Sequence, residues 1–203
     1  VMKLEGWPIT AWIAGLILLG LLILFCLSGW SAPTITSGID ATGRCSLLLF
    51  SIAFTASSLH RLWRVPLTTW TLLNRRWIGL GFASSHFIHL ALILSMSLFF
   101  PEPFLSRQSM GQWVFGGIGY GFVFLMALTS SDRAQHWMGM KSWKRLHLTG
   151  SYWLWTVFLF TYIKHAKQGP DWLYLPLLLF TIALLPIRLA KQIPPRPSLG
   201  AAS

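Results

Sequence analysis

Acidic residues are scarce in this 203-residue chain: five Asp and Glu stand against 16 Lys and Arg. All five acids fall at the ends of apolar runs or between them, so no carboxylate sits mid-membrane to couple ion or proton movement. Charge of either sign is rare. Only 10% of residues are charged and 54% are hydrophobic, against about 25% charged in soluble domains, which excludes an ordinary soluble core. Cysteine is limited to Cys26 and Cys45, without metal-ligand spacing. The two read as buried free thiols near the same ends of neighbouring spans. A glycine cluster, Gly116, Gly117, Gly119 and Gly121, lies inside an apolar run. It lacks the strand–loop–helix setting of a phosphate cradle, so the chain carries no NAD, FAD or ATP motif. There is no internal repeat and no soluble domain. The surplus of cations does not indicate nucleic acid, because the cations flank apolar runs.

What the chain has is membrane-length apolar sequence. The runs predict an all-α bundle of six transmembrane helices over residues 1–193, followed by a proline-rich tail, 194–203. The spans fall at about Thr10–Trp30, Cys45–Leu62, Trp77–Phe100, Trp113–Leu128, Leu146–Tyr162 and Trp172–Ile187, with a polar Ser31–Arg44 loop after the first. In this scheme 12 of the 16 Lys and Arg face one side. The positive-inside rule then places both termini in the cytoplasm. Trp7, Trp63, Trp70, Trp77, Trp137 and Trp143 make an inner aromatic belt, and Trp30, Trp113 and Trp172 an outer one.

Two stretches stand out. Arg75–Leu90 opens on Arg75 and Arg76 and carries His86 and His89 three residues apart, on roughly one helix face. Trp143–Tyr162 opens on Lys144 and Arg145, with His147 just inside. Intramembrane histidine is rare and faces the bundle interior. A haem iron takes imidazole nitrogen between helices, shielded by apolar and aromatic side chains. His89 and His147 are candidate iron ligands and His86 a reserve. Arg75, Arg76 and Arg145 are candidate partners of haem propionates, although the positive-inside rule accounts for them equally. Interhelical hydrogen bonding is the plain alternative for the histidines. His147 and His165 are eighteen residues apart and share a face, but about 27 Å separates them along the axis, so one iron cannot take both. His60, His136 and His165, at span ends, need no special role.

Thr42-Gly43-Arg44, Arg75-Arg76 with Ile78-Gly79-Leu80, Ile88-His89, Ala127-Leu128-Thr129-Ser130 and Trp143-Lys144-Arg145-Leu146-His147 occur in order. Over Ala41–Tyr162 this pattern resembles ferric-reductase-type transmembrane domains, and within them the haem-binding membrane subunit of periplasmic methionine sulfoxide reductase systems. The resemblance implies a bacterial inner-membrane protein with b-type haem between the third and fifth spans. It implies electrons taken from a quinone or flavin source and passed to a periplasmic redox partner. His89 then matches the histidine of span three and His147 the first of span five. A second span-five histidine is expected thirteen residues later, facing His89, where this chain has Phe160. That departure supports a rival expectation, a haem-free accessory subunit packed into a larger membrane complex.

Overall fold

The computed structural model describes residues 5–105, 110–168 and 172–190. The expected tail at 194–203 lies outside the described residues. The elements are α1 (Trp7–Ser28), α2 (Ala32–Leu62), α3 (Pro66–Leu73), α4 (Arg75–Phe99), α5 (Pro101–Leu105), α6 (Met110–Leu128), α7 (Asp132–Met138), α8 (Met140–Gln168) and α9 (Tyr174–Leu189). Four of them, α1, α2, α4 and residues Gly111–Leu128 of α6, are long and apolar enough to cross a membrane. The protein is a multi-pass, all-α membrane bundle. Helix α8 has the length, but Thr, Ser, Tyr and His interrupt its apolar run; α9 is apolar but has 16 residues.

The boundaries follow from capping chemistry. Pro8 opens α1, and Gly29, at φ 69°, closes it. Pro66 opens α3, Pro101 follows the end of α4, and Ser131 caps α7 by accepting from the Ala134 amide. The structure corrects one expectation: Ser31–Arg44 is not a loop but the cap and opening turns of α2. Ser31 caps the helix and Pro33 occupies its first turn. The hydroxyls of Thr36, Ser37 and Thr42 each donate to the carbonyl four residues back, so a polar sequence satisfies itself inside a helix. The two thiols are free, as expected, but both are exposed on the outside of the bundle rather than buried.

Cross-helix bonds fix the directions. Thr10 of α1 donates to the Trp77 carbonyl at the start of α4, and Trp30 meets Phe99 at their far ends, so α1 and α4 run parallel. Helix α2 is antiparallel to α4, with Thr42 opposite His89, Ser46 opposite Ser85 and Ala53 opposite Arg75. Helix α9 runs parallel to α2, with Arg44 over Tyr174 and Arg188 on Phe54. Helix α8 is antiparallel both to α9, through Trp155 and the Thr181 carbonyl, and to α6, through Trp153 and the Phe115 carbonyl. The six long helices therefore alternate in direction. Five of them, α2, α4, α6, α8 and α9, close a ring in which each packs on the next. Leu47, Phe50, Phe54, Phe82, Val123, Leu154 and Phe158 fill its interior. Helix α1 lies outside against α4 and α2, apolar all round and mostly exposed, as suits a lipid-facing helix.

Close approach of α1 and α4 depends on Gly81, where an added Cβ would come within 2.6 Å of the Ile13 side chain; at Gly79 it would meet nothing within 4 Å. Overpacking of this kind costs about 1–3 kcal/mol. Gly81→Leu should lower the melting temperature of the purified protein in detergent by several degrees, and Gly79→Leu should leave it nearly unchanged. Equal melting curves would show that the α1–α4 contact contributes nothing to stability.

Candidate functional site

Helix α4 turns Phe82, Ser85, His86 and His89 toward its neighbours at the i, i+3 and i+4 spacing of one helix face. Around them stand Thr42, Ser46 and Phe50 of α2, Tyr120 of α6 and Phe158 of α8. Helices α4 and α8 do not pack closely along their backbones; Phe82 and His86 reach Phe158 across the ring at 6.4 and 6.0 Å between ring centres.

His89 Nδ1 lies 3.0 Å from Thr42 Oγ1. That hydroxyl also lies 2.7 Å from the Gly38 carbonyl, to which it must donate. Thr42 can then only accept from His89, so the imidazole carries its proton on Nδ1 and keeps the Nε2 lone pair. The ring lies beside Gly43 of α2, where an added Cβ would make ordinary contact with His89 Cε1 at 3.4 Å. His147 shows the opposite arrangement. Its Nε2 is 3.1 Å from Thr129 Oγ1, which lies 2.7 Å from the Leu125 carbonyl and donates to it. His147 therefore carries its proton on Nε2, with its ring against Trp143, 4.3 Å between centres. Trp143 Nε1 in turn donates to the Thr129 carbonyl.

His86 is buried, and among the described residues its Nδ1 has no hydrogen-bond partner; neither has the Tyr120 hydroxyl. The two rings stack at 4.7 Å. His86 and His89 also stack, at 5.6 Å with 19° between planes. Parallel rings on one side of a helix cannot approach an iron from opposite faces, so at most one of the pair serves a single iron.

The structure brings His86 and His89 together but not His89 and His147. His147 lies near Arg75, and His89 is fourteen residues, about 21 Å, further along α4. Among the described residues no group of three or more His, Cys, Asp or Glu is arranged to hold a metal ion. Phe160 does not face His89: it is 56% exposed and packs on Phe115. Thirteen residues turn a helix by roughly 220° relative to His147, whereas Phe158 falls on the inner face and fills that position.

The cations also divide. Arg76 pairs with Asp132 at 2.9 Å on the surface, and Arg145 is exposed. Arg75 turns inward and donates through Nε to the Ala53 carbonyl at 2.8 Å. His60 contacts Thr69, His165 stacks on Tyr174, and His136 is exposed. Sequence reasoning missed Thr42 and Thr129 as the groups that set the two tautomers, and Tyr120 as the ring against His86. The one available signal was that both threonines stand in the recurring Thr42-Gly43-Arg44 and Leu128-Thr129-Ser130 segments.

A family described as the ferric reductase like transmembrane component matches residues 42–159, more than half of the chain. The chain belongs to that family. The match to the ferric reductase like component runs from Thr42 in α2 into α8. It thus takes in Thr42, His86, His89, Tyr120, Thr129 and His147, and leaves out α1 and α9. Comparison with curated proteins and with solved structures finds no match.

The tautomers can be read directly. In protein carrying ¹⁵N-labelled histidine, His89 should show a protonated Nδ1 and His147 a protonated Nε2. Thr42→Val should release the first assignment alone and Thr129→Val the second alone. Two identical tautomers in the parent would contradict the hydroxyl assignments.

Proposed function

We propose that this chain is a b-type haem electron carrier, with His89 as the iron ligand. The observation that carries the reading is the polarity of the His89–Thr42 bond. An imidazole that donates Nδ1–H to an oxygen and presents a bare Nε2 has the second-shell arrangement of a metal-binding histidine. Membership of a redox family supports the reading. So do two polar atoms that have no partner among the described residues, His86 Nδ1 and the Tyr120 hydroxyl, in the same aromatic interior. When bound, haem supplies one-electron redox chemistry. Thr42 orients the His89 ring, and Phe82 and Phe158 keep water from the interior. His147, with Nε2 given to Thr129, is the weaker ligand candidate, and His86 stands in reserve beside His89.

In this proposal the chain spans a bacterial inner membrane six times, α8 and α9 included, with both termini cytoplasmic. The alternating helix directions and the excess of cations on one side support that topology. Electrons pass from a quinol or flavin donor to a periplasmic redox partner, of the kind served by methionine sulfoxide reductase membrane subunits. Substrate chemistry belongs to that partner. A second reading, a haem-free accessory subunit in a larger complex, is favoured by the rings of Phe50, Phe82 and Phe158, which already fill the space between α4 and α8.

Optical spectra of the purified protein, oxidised and dithionite-reduced, separate the readings. The parent and His147→Ala should both show a b-type spectrum, His89→Ala should lose it, and Thr42→Val should weaken haem affinity by about 10- to 100-fold. Loss in His147→Ala with retention in His89→Ala would reverse the ligand assignment. Folded parent protein that takes up no haem would leave the accessory subunit.

A further inference from the structure

Helix α3 continues α4. Helical hydrogen bonds run through the single residue between them: the Asn74 amide donates to the Trp70 carbonyl, and the Asn74 carbonyl accepts from the Ile78 amide, both at 3.0 Å. The antiparallel pairing with α2 runs on as well. Thr42 faces His89, Ser46 faces Ser85 and Ala53 faces Arg75; before the start of α4, His60 faces Thr69 at 3.4 Å. Helices α2 and α3 thus make a hairpin that passes the level where α1 begins, with Trp7 against Trp77. At 31 residues α2 is about 46 Å long, and α1, at 22 residues, about 33 Å. The second length suits the hydrocarbon core alone, about 30 Å; the first suits a bilayer with its polar layers, about 40–45 Å.

The hairpin is built inside out. Its polar groups turn to protein or to their own helix. Thr71 is buried and donates to the Leu67 carbonyl, and Thr68 donates to the Trp63 carbonyl. Asn74, also buried, donates to the Trp70 carbonyl and accepts from the Gly6 amide. The apolar side chains point away. Leu67 is 71% and Leu73 73% exposed, and Trp63, Val65 and Trp70 are exposed beside them. On α2 the exposed Leu48, Ile52 and Leu62 lie on one face, so the apolar surface runs unbroken from mid-helix to the turn. A contiguous apolar surface of this kind marks a contact. Polar groups satisfied inside and apolar groups turned outward are what lipid requires. Trp63 and Trp70, with exposed Arg61 and Arg64 at the turn, have the chemistry of a membrane interface.

We infer that the α2–α3 hairpin is sunk in the polar layer of the bilayer and turns Leu67, Trp70 and Leu73 to lipid. Helix α3 is then a membrane anchor that holds the Arg75 end of the α2–α4 pairing at the interface. Leu73 lies deeper than Leu67, because α3 runs back along α2 toward the level of Ala53. The anchor is independent of the haem reading, since none of its residues touches His89 or His147.

The test uses the full chain in phosphatidylcholine nanodiscs. With Cys26→Ser and Cys45→Ser in place, a nitroxide is attached at Leu67→Cys, at Leu73→Cys or, for reference, at Leu18→Cys on lipid-facing α1. Oxygen concentrates in lipid and a nickel chelate stays in water. Both α3 labels should relax more with oxygen than with nickel, as at Leu18, and the label at 73 should report a depth of about 5–10 Å below the headgroups. Stronger relaxation by nickel at either α3 position would put the surface in water and overturn the anchor. Silence to both reagents would mean that a second copy or another protein covers it, and would overturn the anchor equally. If the cysteine variants do not fold, the parent is photolabelled with a phospholipid carrying a diazirine near the top of its acyl chain. Label on residues 62–73 is expected; label on α1 with none on 62–73 would overturn the inference.

Discussion

Everything in this bundle hangs on the seam between α2 and α4. A chain in lipid has no water to satisfy its polar groups, so each must find a partner inside the protein. Here α2 supplies partners along its whole length. Its Thr42 meets His89, its Ser46 meets Ser85 at 2.9 Å, and its Ala53 carbonyl receives Arg75. These three ties lie at successive levels and permit only one register of the two helices. They also decide the chemistry, because the hydroxyl that locks the seam is the one that sets the His89 proton.

The two threonine–histidine pairs differ in one respect only. Both threonines are committed to a carbonyl four residues back, and both accept from a ring nitrogen. The difference is which nitrogen faces the threonine. Composition is identical in the two pairs; geometry alone puts Nδ1 of His89 and Nε2 of His147 at the hydroxyl.

Much of the helical layout was legible in the sequence, because long apolar runs bounded by proline, glycine and cations have few alternatives. The Arg75 start of α4 and the Leu128 end of α6 lie within two residues of the spans read from hydrophobicity. The beginning of α2 was not legible. Serine, threonine and glycine there resemble a loop until their hydroxyls are seen folding back on the helix. Helical periodicity alone would have shown that Phe160 lies on the wrong face, but the family spacing pointed inward instead. The pairings of Thr42 with His89 and Arg188 with Phe54 span 47 and 134 residues, and no local pattern announces contacts at that distance.

The peripheral position of α1 bears on how the chain is made. It emerges from the ribosome before α2, yet its main partner, α4, emerges only after α2 and α3. A helix without charge and apolar on every side can wait alone in lipid for that partner. Helix α2, which carries Asp40 and Arg44 within its length, has no such freedom and must find its neighbours soon after insertion. On this ground α2 is the helix that needs its neighbours early, and α1 the one that can join late.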